Sequence, residues 1–214
     1  MARVLHSYAR RRMDVCGFTV DASCIAEGTD TYCGLPLIPF GRVRDVFDPA
    51  EHQMIVAVGF LDMNELRERK SEEARRKGYA LARYVHESSC LHDDVVIGEN
   101  CIILDHVSIH PGSSIGHGTF ISGNVNIGHD CLIGPYNWIN AGVSIAGGCR
   151  VGPGGFFGVN ASVGQGAALG ARNFIAANTL VTRPTRDDEV YLSAPGQLFR
   201  LSSKAFLKFS RMQP

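Results

Sequence analysis

Every sixth residue from Val85 to Val181 is aliphatic, with Phe157 the one aromatic substitute, and the period never slips. The series is Val85, Leu91, Ile97, Ile103, Ile109, Ile115, Ile121, Ile127, Ile133, Ile139, Ile145, Val151, Phe157, Val163, Leu169, Ile175 and Val181. An amphipathic helix repeats every 3.6 residues and a half-buried strand every second residue, so neither element explains a period of six. Short strands joined by sharp corners do explain it. One inward aliphatic per strand fills a prismatic core, and the mostly small residue four positions later, such as Cys101, Ser113, Cys131, Cys149 or Ala161, fits a crowded corner. The residue after the aliphatic is often glycine (98, 116, 128, 134, 152, 158, 164 and 170), read here as relief of backbone strain at the turn. Three hexads make one triangular coil, which stacks residues eighteen apart at the strand spacing of about 4.8 Å. The expected fold class is mainly β: a left-handed parallel β-helix over residues 85–183.

Residues 1–84 read differently. A helix over 2–12, buried strands over 15–21 and 54–60, a charged helix over 62–77 and a feeding strand over 80–86 suggest a small α/β, Rossmann-like domain. Such a domain normally opens on a central strand and a Gly-rich turn that offers N–H groups to a phosphate. This sequence enters directly in the helix that should follow that turn, so a start upstream of Met1, or a domain that has lost its phosphate loop, is expected. Residues 184–214 form a strand and helix tail. Within it, 198–209 is amphipathic and reads either as a cap on the solenoid or a neighbouring subunit, or as a membrane contact.

Twenty-one basic and twenty-one acidic residues leave no electrostatic footprint for nucleic acid or an anionic membrane as the main partner. Seven cysteines without a C-x-x-C pair suit reduced thiols rather than a disulfide framework or a zinc knuckle. Cytoplasmic localisation is expected, since neither a signal-peptide core nor a long apolar run occurs.

An open solenoid encloses no cavity, so a site belongs in a groove on its surface, most readily where the prisms of a homotrimer meet. Phasing the repeat sorts the outward residues into columns. One column holds Asp93, Pro111, His129, Gly147, Gln165 and Arg183, with Asp130 beside His129. A histidine can take a proton near neutral pH, an adjacent carboxylate can orient it, and a glycine lets a reactant approach the backbone. His117 is a rival flanked by Gly116 and Gly118 without a carboxylate, while His92, His106 and His110 suit corner or interface positions.

The segments Gly17–Asp21 (G-F-T-V-D), Ile55–Gly59 (I-V-A-V-G) and above all Asn126–Gly134 (N-I-G-H-D-C-L-I-G), with the unbroken hexads, resemble the NeuD/PglD-type sugar acyltransferases. The resemblance implies an acetyl-CoA-dependent acetyltransferase acting on a nucleotide-linked amino sugar or a surface-glycan precursor, without a metal and as a homotrimer. It assigns His129 as general base and Asp130 as its acidic neighbour. Gly147 falls where a backbone N–H meets the acetyl thioester, and Val159 and Ala177 where the pantetheine arm and adenine end of the cofactor run. Asp21 and Gly59 fall in the nucleotide-sugar pocket. Trp138 stands where other members place a second histidine near the acetyl group, Gly128 replaces an acidic residue before the catalytic histidine, and Phe60 replaces a polar one after Gly59.

Two other readings use the same prism. A γ-class carbonic anhydrase would need two histidines five residues apart, whereas His86 and His92 are six apart and His106 and His110 four. A non-catalytic scaffold or sugar-binding protein would need no base at all.

Overall fold

A computed structural model describes residues 1–210 of the chain, with side chains through Lys208. Each of the seventeen aliphatic positions is the second residue of a two-residue strand, from Tyr84–Val85 to Leu180–Val181. Together with Val190–Tyr191 these strands stack in parallel into three sheets of seven, six and five strands, the faces of a left-handed prism. The first face begins at Tyr84–Val85, the second at Cys90–Leu91 and the third at Val96–Ile97. The register is eighteen residues throughout, so Ile109, Ile127 and Ile145 lie in one interior row. Ile103, Ile109, Ile121, Ile127, Ile139, Ile145 and Ile175 are completely buried, with Cys101, Cys131 and Cys149 in the corners. Burial stabilises each such isoleucine by about 1.5–3 kcal/mol.

The corners assign the glycines a different task from the one expected. Positive φ falls on the fourth residue of every hexad from Asn100 to Asn178: Asn or Asp at 100, 124, 130, 160 and 178, Gly at 112, 118, 142, 148, 154 and 166, and His106, Tyr136 and Arg172 at the rest. Asn and Asp tolerate this left-handed conformation better than other side chains do. The glycines directly after the aliphatics have ordinary φ; a β-carbon on Gly128, for instance, would stand 2.6 Å from the Gly147 nitrogen in the next coil. They serve close approach between coils rather than turn strain.

A small α/β unit precedes the prism, and its sheet is mixed. Helix α1 (Ala2–Ala9) is shorter than expected and presses Leu5 and Ala9 onto the first face beside Ile102, Phe120 and Trp138. Strands β1 (Phe18–Val20), β2 (Thr31–Tyr32) and β3 (Leu35–Pro39) form a sheet in the order β1-β3-β2. The β1–β3 pair is parallel; β2 and β3 make a hairpin that sequence reading missed. Its turn is Cys33-Gly34, both at positive φ, as a twisted two-residue hairpin requires. Residues 54–60, expected as a buried strand, form a single bridge between Met54 and Leu81. The Val56 N–H instead donates to Asn100 Oδ1 at 2.8 Å, so a corner side chain replaces a ladder partner. A 3₁₀ turn, Leu61–Asn64, then leads into α2 (Glu65–Arg76).

At the other end Val190–Tyr191 adds the last strand to the first face, and α3 (Ser203–Ser210) follows. Leu198 is fully exposed, Phe199 more than half, and Leu201 and Phe206 in part. The expected packing of this segment on its own solenoid is therefore not formed among the described residues. No helix among them is long and apolar enough to cross a membrane.

Candidate active site

His129 and Asp130 occupy the corner between the second face (Asn126–Ile127) and the third (Leu132–Ile133). Their backbone is pinned from both sides. The Asp130 N–H donates to the Pro111 carbonyl at 2.9 Å, and the His129 carbonyl accepts from the Gly148 N–H at 2.7 Å. At φ +55° Asp130 turns its side chain back toward the preceding residue. The result is a 2.8 Å contact between His129 Nδ1 and Asp130 Oδ2. A carboxylate can only accept, so Nδ1 carries a proton, and the neutral imidazole has its lone pair at Nε2. Both side chains are mostly exposed, at 61% and 72%.

Two glycines make this arrangement possible. A β-carbon on Gly147 would stand 2.5 Å from His129 Nε2 and 2.8 Å from Cδ2 and Cε1, so the imidazole lies directly over the bare Cα. A β-carbon on Gly112 would collide with the Asp130 carboxylate. The space opened by Gly147 is thus filled by the imidazole itself rather than left for a reactant. The Gly147 N–H donates to no acceptor among the described residues. Because Gly128 has no side chain, that N–H is left uncovered from below. The third hexad position donates to no other backbone carbonyl in the array, which is why Pro111, Pro135 and Pro153 are accommodated there.

The other expected residues lie elsewhere on the chain. Val159 and exposed Ala177 stack at the corner between the first and second faces, across the second face from His129. Their surroundings are small: outward on the second face stand Ser108, Asn126, Ser144 and Ser162. Trp138 belongs to the first face. It is buried, stacks on Phe120 at 4.1 Å between centroids, and donates from Nε1 to Asn140 Oδ1 at 3.1 Å. One copy of the chain does not bring it to His129.

Asp21 and Gly59 are gathered by α2. Lys70 pairs with Asp21 at 2.8 Å, and Arg67 donates to the Gly59 carbonyl at 3.2 Å. Burial pulls the Lys70 ammonium down, but hydrogen bonds to Asp21 and Glu73 outweigh it and raise it above its ordinary range. Gly59 faces open space.

Sequence reading missed Arg67, which is 1% exposed. Its guanidinium donates to the carbonyls of Gly118, Val58, Gly59, Tyr136 and Asn137 at 2.9–3.4 Å. Burial lowers its pKa to about 10, so it remains a cation at neutral pH. It bolts α2 and the 54–60 segment to the prism corner. A signal was present: Arg67, Ser71, Ala74 and Gly78 recur at helical spacing, three small residues lining the path of one long side chain.

Among the described residues no group of three His, Cys, Asp or Glu side chains is placed to hold a metal ion.

No family model matches the chain, and no curated protein matches it in sequence. Solved structures do match, acetyltransferases among them. The perosamine N-acetyltransferase PerB from Caulobacter crescentus, solved with CoA and GDP-perosamine, is 26% identical, with 88% of this chain and 87% of that one covered at a TM-score of 0.78. The acetyltransferase domain of PglB from Neisseria gonorrhoeae FA1090, solved with acetyl coenzyme A, is 22% identical over 78% of this chain and 80% of its own, TM-score 0.70. WeeI from Acinetobacter baumannii AYE is 18% identical over 88% and 90%, TM-score 0.65. The last two likenesses concern the fold alone.

Proposed function

We propose that the chain is an acetyl-CoA-dependent sugar acetyltransferase whose acceptor is an amino sugar carried on a nucleotide. The observation that carries this reading is the His129–Asp130 contact at 2.8 Å, with Nε2 unpartnered over Gly147. The likeness to PerB, solved with CoA and GDP-perosamine, supports the choice of both substrates.

Transfer proceeds directly from thioester to amine. The amine nitrogen attacks the thioester carbon as His129 Nε2 takes its proton, and Asp130 steadies the imidazolium that forms. The carbonyl oxygen becomes an oxyanion, which the free Gly147 N–H meets. The C–S bond then breaks, CoA leaves as a thiolate, and the imidazolium returns a proton to it. Atoms and charge balance without an acyl-enzyme.

The assembly is a homotrimer in this reading. Val159 and Ala177 lie across a face from His129, and the α2 region packs at the corner between the third and first faces. Neighbouring prisms meeting edge to face place these elements in one groove, where the small residues of the second face admit the long pantetheine arm. Cytoplasmic residence follows from the substrates, since both CoA thioesters and nucleotide sugars are cytoplasmic metabolites.

The test is a panel of nucleotide-linked amino sugars, assayed by release of free CoA thiol in the presence of acetyl-CoA. Stoichiometric thiol release and acetylated product with at least one amino sugar are expected. Acetyl-CoA that is neither bound nor consumed with any member would remove the proposal.

A further inference from the structure

Beyond the last strand the chain keeps its large apolar side chains in solvent. Leu198 is 101% exposed, Phe199 58% and Phe206 47%. The prism has no need of them as a cap. Tyr191 already packs on its core, the Gly170 N–H donates to Thr185 Oγ1 at 2.9 Å, and the Ala171 N–H to Asp187 Oδ1 at 2.7 Å.

Charge in this segment is segregated. From Val190 to the end there are four basic residues, Arg200, Lys204, Lys208 and Arg211, and no acidic one, although the whole chain is balanced. Within α3, Lys204 and Lys208 lie one turn apart on one side and Ala205 and Phe206 on the other, while Leu198, Phe199, Arg200 and Leu201 stand in the non-helical stretch just before it. The rings of Phe199 and Phe206 already stand side by side, edge to face at 5.6 Å between centroids.

From this arrangement we infer that residues 198–208 anchor the protein on an anionic lipid surface. The apolar side enters the boundary between head groups and acyl chains, and the basic side meets lipid phosphates. A protein groove fits the segment less well, because lysine is depleted at protein interfaces and an all-basic face offers no charge pattern to set register. The even charge of the whole chain, which argues against an anionic membrane as main partner, conceals this local excess. In a threefold assembly three tails would leave the same end and act together. That avidity rests on the trimer proposed above; the lipid affinity of one tail does not.

The test is sedimentation of the full-length protein with vesicles of phosphatidylglycerol and phosphatidylcholine, against phosphatidylcholine alone. At about 0.1 M salt, at least about tenfold more protein is expected on the anionic vesicles. The double variant K204E/K208E and, separately, Phe206→Ser should each fall to the level of neutral vesicles while keeping wild-type acetyl transfer to a soluble acceptor. Equal partitioning on the two vesicle types, or anionic binding untouched by K204E/K208E, would overturn the inference. So would a change in the sedimentation coefficient of K204E/K208E without lipid, which would put the tail on a second copy of the chain.

Discussion

The β-carbon that Gly147 lacks would stand 2.5 Å from Nε2 of His129, so the imidazole rests in the space of a missing side chain. Gly147→Ala must therefore push the ring off its seat while leaving the coil intact, since Gly147 has ordinary φ and its N–H has no partner to lose. A drop in kcat of about 10²-fold is expected with melting little changed. Steady-state kinetics beside thermal denaturation checks it, and a variant that loses stability but not kcat would contradict it.

Asp130 does its work through charge rather than shape. Asparagine fits the same left-handed corner, as Asn124, Asn160 and Asn178 show at equivalent positions. Asp130→Asn should fold normally, leave the KM for acetyl-CoA near wild type and lower kcat by about 10–10². The pH profile of kcat gives a second readout, because the imidazolium formed in the reaction loses its neighbouring anion.

Much of this was legible in the sequence. The hexad period alone places all seventeen prism strands, and its phase singles out the His129 column, because a coil eighteen residues long converts spacing directly into stacking. What failed to read out depends on contacts between distant segments. Residues 54–60 look like a strand, yet their partner is the side chain of Asn100. The Cys33-Gly34 turn lacks the usual Asn-Gly signature of a hairpin. Arg67 sits in so charged a helix that it reads as solvated until the carbonyls around it are known.

Those carbonyls make a stability prediction. Arg67→Met fills similar space but leaves the buried oxygens of Gly118 and Tyr136 without their donor. A loss of about 2–4 kcal/mol is expected. Denaturant melts should show it, together with earlier proteolysis between residues 54 and 76, while the prism itself retains its β signal.

The seven thiols should divide by burial. Cys16, Cys24, Cys33 and Cys90 are exposed; Cys101, Cys131 and Cys149 are buried in prism corners. Burial raises the Cys101 thiol to about 11 and pushes Cys131 up as well, so thiolate is scarce at mild pH. Native alkylation near neutral pH should add mass at the exposed group only, with the buried three reacting after unfolding. Rapid native labelling of Cys131 would show that the corner beside His129 opens.

The central claim is that His129 removes the proton of the acceptor amine. Its most direct test is the kcat of His129→Ala with an amino sugar nucleotide and saturating acetyl-CoA. A fall of about 10²–10⁴ with acetyl-CoA binding retained is the predicted result; turnover near wild type would contradict the account.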